Sequence, residues 1–208
     1  MKSRFRLHLR ETTVSKVFYE CLNSVGNEIG ENITVPGPEY STMLLNFQRE
    51  LLKLGNTCGY LFSGSFGTGK TILLIAIRQL LDLLKGVPSA WSYQSIGSLE
   101  WDFMKATEMR FPIASQERFR IAATAPVLFI DDLGMEGGSE DGGLAIELMK
   151  MLIQFRYDAR MLTFIATPYD MTTIQEVYGN RIASIINSAY FSYEFDWPTL
   201  RRRRDYET

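Results

Sequence analysis

An α/β fold, with a parallel sheet flanked by helices on both faces, is what this sequence predicts, and three observations predict it. Apolar runs of strand length alternate with helical stretches along most of the chain, the order that right-handed crossovers need. Pro126-Val127-Leu128-Phe129-Ile130 is apolar throughout, as a parallel strand covered on both sides should be. Finally, Tyr60-Leu61-Phe62 is joined to Ile72-Leu73-Leu74-Ile75-Ala76-Ile77 by a glycine-rich segment, Gly64-Ser65-Phe66-Gly67-Thr68-Gly69-Lys70-Thr71.

That segment fits a phosphate-binding loop, a glycine and then Gly-Lys-Thr at the fixed offset such loops require. The chemistry needs these residue types. Backbone N–H groups freed by the glycines surround phosphates, Lys70 places a point charge at the β and γ oxygens, and Thr71 offers its hydroxyl to Mg²⁺. The helix that follows would turn its positive N-terminal end toward the same phosphates. The alternative is a glycine-rich turn between two core elements. The order of strand, loop and helix favours a site for ATP and Mg²⁺, with Gly64, Ser65, Phe66, Gly67, Thr68, Gly69, Lys70 and Thr71 as its binding residues.

Taken in order, residues 1–40 form an N-terminal extension in which Arg10–Leu22 suits a short helix and Val35-Pro36-Gly37-Pro38 closes a connector. Residues 41–208 form one ATP-binding unit with a basic C-terminal tail, its core beginning near Tyr40. Apolar residues recur at helical spacing from Leu44 to Leu54, and Gly55-Asn56 ends that helix. Beyond the loop and its helix, Gly86-Val87-Pro88 turns the chain into a strand at Ala90-Trp91-Ser92-Tyr93. Helical stretches follow at Ser98–Met109 and Ser115–Ala123, then the strand ending at Ile130. Glycines at 137, 138, 142 and 143 precede a long helix from about Leu144 to Tyr157, and Met161-Leu162-Thr163-Phe164-Ile165-Ala166 is a further strand.

Composition narrows the classes. With 208 residues, 46% of them hydrophobic, the chain can bury a full core. No apolar run reaches bilayer length and no signal-peptide core follows Met1-Lys2-Ser3-Arg4, so a cytoplasmic protein without membrane contact is expected. Cys21 and Cys58 lack CxxC spacing, and His8 is the sole histidine. This argues against a disulfide framework and against zinc, haem or Ser-His chemistry. A formal net charge of −2 is unsuited to broad neutralisation of duplex DNA, which leaves only local contact with nucleic acid. Arg201-Arg202-Arg203-Arg204 can reach phosphates or be a solvated tail, and Trp101 and Phe103 can stack on single-stranded DNA or belong to the core.

Asp131 and Asp132 close the clearest strand. In a nucleotide site one such carboxylate helps hold Mg²⁺ and its neighbour orients the attacking water, roles that fall to Asp131 and Asp132 respectively; in isolation the pair would read as a polar turn. Thr167 ends the next strand, which should lie beside the loop strand. Its hydroxyl can face the γ-phosphate or the water, or it can simply start a turn before Pro168. Arg181 and Arg201 are candidates for sensing the γ-phosphate, against the common alternative of surface arginines.

These segments together resemble the AAA+ ATPases of the DnaC-type helicase-loader and IstB-type transposition-helper group. The resemblance runs from about Leu44 to Arg201 and rests on Gly64 to Thr71, Ile130-Asp131-Asp132-Leu133-Gly134 with Glu136, and Phe155-Arg156-Tyr157. Tyr178-Gly179-Asn180-Arg181-Ile182 and Trp197-Pro198-Thr199-Leu200-Arg201 complete it. It implies an AAA+ P-loop fold and slow, assembly-dependent ATP hydrolysis. It also implies partnership with a replicative helicase, or with a transposase or recombinase, and assembly with copies of itself or with a partner ATPase. By the same resemblance Thr167 lies at the first sensor and Arg201 at the second. The family usually has asparagine near the sensor strand's end, where this chain has Thr167-Pro168. Its arginine-finger segment commonly reads Arg-x-x-Ser-Arg, where Arg181-Ile182-Ala183-Ser184-Ile185 ends in isoleucine. From a different class, a nucleotide-gated adaptor with little hydrolysis also fits that substitution.

Overall fold

The computed structural model describes residues 11–29, 42, 46, 57–85, 91–95, 113–135 and 142–199. In order these contain α1 (Glu11–Ile29), β1 (Gly59–Gly64), α2 (Lys70–Lys85), β2 (Trp91–Ser95) and α3 (Ile113–Thr124). They continue with β3 (Val127–Asp131), α4 (Gly142–Asp158), β4 (Leu162–Thr167), α5 (Met171–Ala189) and β5 (Tyr190–Phe195). The predicted helix Ser98–Met109, with Trp101 and Phe103, lies outside the described residues, as do Glu136 and Arg201–Arg204. Of the predicted helix Leu44–Leu54, only Asn46 is described, and it is helical.

The strands form one parallel sheet in the order β2-β3-β4-β1-β5. The chain leaves β1 for the far edge, returns strand by strand to β4, and then passes over β1 to β5. This places β1, with its loop, where the direction of winding reverses, the position at which open α/β sheets bind ligands beyond their carboxyl ends. Ser63 pairs with Thr167, so β4 lies beside the loop strand as expected.

Pleating explains why the strands are apolar throughout. Tyr60, Phe62, Phe129 and Phe164 face a cluster with α1 and α2, while Leu61, Leu128, Ile130 and Ile165 face another with α3, α4 and α5. On the first face a row of rings crosses four strands. Phe129 stacks on Phe164 at 5.0 Å, Phe164 on Tyr60 at 5.1 Å, and Phe191 lies 5.8 Å from Tyr60. Each pair joins residues in register. A slip of one residue would move every ring to the opposite face, so the row pins the alignment.

Two elements differ from expectation. The N-terminal helix runs to Ile29, and Phe18, Cys21, Leu22 and Val25 are part of the core on α2, which therefore draws on residues before Tyr40. Their spacing makes an apolar stripe on one side of a helix, and burying that stripe supplies the driving force. Edge strand β5 went unpredicted. Its Tyr-Phe-Ser-Tyr-Glu-Phe sequence is half-exposed and lacks the continuous apolar run that marks the inner strands.

Arg156 is the largest fully buried side chain among the described residues, with no exposed surface. Its guanidinium donates to the carbonyls of Ala122 (2.8 Å), Ala123 (3.2 Å), Ala125 (2.8 Å) and Leu162 (2.6 Å) and to Thr163 Oγ1 (2.8 Å). The last carbonyls of α3, which have no partner within the helix, are thus capped from α4. Burial pushes the guanidinium down to about 10, which leaves it charged at neutral pH.

Candidate functional site

β1 ends at Gly64 and α2 begins at Lys70, so the glycine-rich segment is the whole connection between strand and helix. Lys70, 7% exposed, turns back into the loop. Its Nζ donates to Gly64 O at 2.6 Å and Ser65 O at 2.7 Å and lies 3.4 Å from Thr68 Oγ1, which itself donates to Ser65 O at 2.9 Å. The ammonium therefore sits inside the loop's curve, beside the N-terminal end of α2, where the helix's unpaired N–H groups favour an anion.

Thr71, the first residue after that lysine, donates its hydroxyl to Asp131 Oδ1 at 3.1 Å. The two side chains assigned to Mg²⁺ from sequence thus meet, although sixty positions separate them. Asp131 is 4% exposed at the end of β3. A hydroxyl and a carboxylate, both oxygen donors and close enough to share one partner, suit a cation that binds through one or two carboxylates plus substrate phosphates. The residues fit Mg²⁺.

Asp132 is exposed and takes a left-handed backbone, φ 58°. It opens a turn closed by a bond from Met135 N to Asp132 O, 3.1 Å. The end of β4 grips this turn. Leu133 N donates to Ala166 O (2.9 Å), Thr167 Oγ1 donates to Leu133 O (2.6 Å), and Tyr169 Oη donates to Gly134 O (2.7 Å). Tyr169 N in turn donates to Thr167 Oγ1 at 3.1 Å. The Tyr169 ring lies so close to Gly134 that any Cβ there would overlap it, and Gly134 has φ 109°. Of the two roles open to Thr167, the backbone contacts are those of a turn residue: its buried hydroxyl donates to Leu133 O and accepts from Tyr169 N. Tyr169 was not singled out from sequence, since an aromatic after a proline carries no signal of such a contact.

Arg181 does not join this constellation. It is exposed on α5, and its Nε donates to Gln154 Oε1 on α4 at 2.7 Å. It follows the break at Gly179, in the second part of α5. Ile185, 7% exposed, packs in the core with Ile182 and Ile186. α5 breaks at Gly179 (φ 84°) and is capped at its start by Asp170, whose carboxylate accepts from Thr173 N at 2.7 Å and is thereby held below the usual carboxylate range.

The segment after β5 also touches the loop. Trp197 Nε1 donates to Thr68 O at 3.0 Å, and Thr199 Oγ1 lies 3.4 Å from Gly67 O. The sequence marked this segment only through the family resemblance.

A glycine-rich loop between strand and helix, a lysine inside it and a threonine–aspartate pair beyond it, on a parallel sheet wound in this order, make the chain a P-loop protein of the AAA+ type. The family model described as ATPase family associated with various cellular activities (AAA) matches residues 60–190, and the chain belongs to that family. None of the curated proteins matches it in sequence. Among solved structures it is similar to the DnaC helicase loader, with 21% identity and TM-score 0.64 over 76% of this chain and 91% of that one. DnaI is similar with 22% identity and TM-score 0.57 over 88% and 93%. The replication initiator DnaA, solved with AMPPCP and single-stranded DNA, gives 17% and 0.60 over 79% of this chain but 48% of its own. At such identities the likeness is one of fold. No helix among the described residues is long and apolar enough to cross a membrane.

Proposed function

We propose that the protein is an ATP-binding switch of the helicase-loader type, acting in DNA replication, with slow Mg²⁺-dependent hydrolysis that requires assembly. The observation that carries this reading is the Thr71–Asp131 contact beside Lys70, which supplies a lysine, a hydroxyl and a buried carboxylate at one end of a loader-like sheet. Lys70 and the loop amides hold the phosphates, and Thr71 and Asp131 hold the cation. When bound, Mg²⁺ neutralises charge on the phosphate oxygens. Asp132, exposed at the mouth of the site, orients the attacking water and accepts its proton. Structural likeness to the loader and to DnaI over most of their lengths supports the replicative helicase as partner. A transposition-helper role on the same fold would replace that helicase with a transposase or recombinase. Local contact with single-stranded DNA falls to Arg201–Arg204 or to Trp101 and Phe103.

The adaptor reading is favoured by one observation: the position expected to carry the arginine finger holds a buried isoleucine. A finger contributes on the order of 10³ to 10⁵ in rate, so its loss would leave binding intact and hydrolysis slow.

Calorimetry of ATP and Mg²⁺ against wild type and Lys70→Ala tests the site, and capture of the host's replicative helicase in ATP and in ADP tests the role. The expected result is ATP binding that Lys70→Ala weakens by about tenfold or more, since the lost contact is charge-assisted. Helicase capture should differ between the nucleotides. Equal affinity in both proteins removes the site, whereas capture of a transposase in place of the helicase moves the function to transposition.

A further inference from the structure

A loop that turns its amides inward to phosphate must turn carbonyls outward, and those carbonyls need partners of their own. On the inner side, Gly64 O and Ser65 O are taken by Lys70. The next outward carbonyls, Gly67 O and Thr68 O, are met by the segment that follows β5, through Thr199 Oγ1 at 3.4 Å and the indole N–H of Trp197 at 3.0 Å. The Trp197 bond is buried, and 129 positions separate its ends.

The sheet register delivers this contact. Phe195, the last residue of β5, pairs with Gly64, the first of the loop. A Cβ on Gly64, whose φ is 134°, would overlap the carbonyl oxygen and Cβ of Phe195, so the two backbones meet with no room between them. The Trp197 ring then packs 4.7 Å from that of Phe195, and its N–H falls on the loop. A packed ring with one directed donor fixes the carbonyl it bonds, and through the rigid peptide plane it fixes the next amide, that of Gly69.

We propose that Trp197, assisted by Thr199, is a positioning residue for the phosphate loop: by holding the outward carbonyls of Thr68 and Gly67 it keeps the following amides aimed at the nucleotide's phosphates. The inference rests on the phosphate-binding assignment of the loop and goes beyond it, because it gives a role to the segment after β5. It also gives the edge strand a function, since β5 carries the strap to the loop.

The test is calorimetry of ATP binding to the full chain as wild type, Trp197→Phe, Thr199→Val and Lys70→Ala. Phenylalanine keeps a ring beside Phe195 and removes only the donor. Trp197→Phe should raise Kd for ATP about fivefold to tenfold with the number of sites unchanged, the cost of one buried hydrogen bond; Thr199→Val, at a longer and exposed contact, should raise it about twofold. A residue that merely filled the core would do the reverse, lowering the number of competent sites and leaving Kd as in wild type, and that result overturns the proposal. So does wild-type behaviour in both respects when Lys70→Ala has lost binding. Should Lys70→Ala bind ATP as tightly as wild type, the loop assignment itself fails, and the two failures are distinguished.

Discussion

Asp131 and Asp132 are adjacent in the chain, yet the strand buries the first and the turn after it exposes the second. The end of β3 decides this, because Asp131 still belongs to a strand buried on both faces while Asp132 has left it with φ 58°. The burial suits a cation ligand beside Thr71, and the exposure suits a group that meets water. Asp132→Asn is therefore expected to bind ATP normally and to hydrolyse it more slowly by roughly 10²-fold or more, the range of a general base. Asparagine tolerates the left-handed backbone as aspartate does, so the turn should survive the change. Single-turnover hydrolysis beside equilibrium binding checks this. Unchanged turnover would hand the base role to another group.

At the scale of elements, much of the site depends on side chains that bond to backbone around it. Thr167 and Tyr169 at the end of β4 fasten the turn that presents Asp132. Arg156 joins the end of α3 to α4 and β4. A charge with no exposed surface and no carboxylate among these contacts costs free energy to desolvate, and five acceptors offset that cost. Arg156→Met should leave several buried carbonyls without donors and lower stability by about 3 kcal/mol or more, even though methionine is itself at home in a core. Denaturant unfolding measures it. A loss below about 1 kcal/mol would mean that water reaches those carbonyls.

For the whole molecule the open matter is what completes the site. Family resemblance places the finger at Ile185, and at that position α5 faces its own core. Ile185→Arg should therefore lower stability by about 3 kcal/mol or more, by burying an unpaired charge, and should not accelerate hydrolysis. Arg181 lies one turn earlier on the exposed side, bonded to Gln154. With isoleucine at the finger position, turnover of the isolated protein is expected to stay low as its own concentration rises, until a partner ATPase supplies the missing charge, with Arg181→Ala behaving alike. A steep rise in wild type that disappears in Arg181→Ala would show that Arg181 serves a neighbouring copy, and an active, stable Ile185→Arg would show that α5 is packed differently in the assembly.

The sequence by itself determined what short-range pattern encodes. The continuous apolar runs announced strands covered on both faces, and Gly64 to Thr71 carried its chemistry in its spacing. Asp131 could be paired with Thr71 in advance because both stand where a strand's end meets the same edge of a parallel sheet. Tertiary structure alone decided the rest, for one physical reason: hydrogen-bond direction and burial depend on neighbours distant in the chain. Nothing in the sequence marked the bond of 2.6 Å from Thr167 to Leu133 O. Ile185 was a gap in a motif until its side chain was found in the core. Trp197 had no visible reason to meet Thr68 until β5, a half-exposed strand with a weak pattern, paired with β1 and carried it there. Likewise α1, within the stretch expected as an N-terminal extension, packs into the core only because α2 presents the surface its stripe of Phe18, Cys21, Leu22 and Val25 requires.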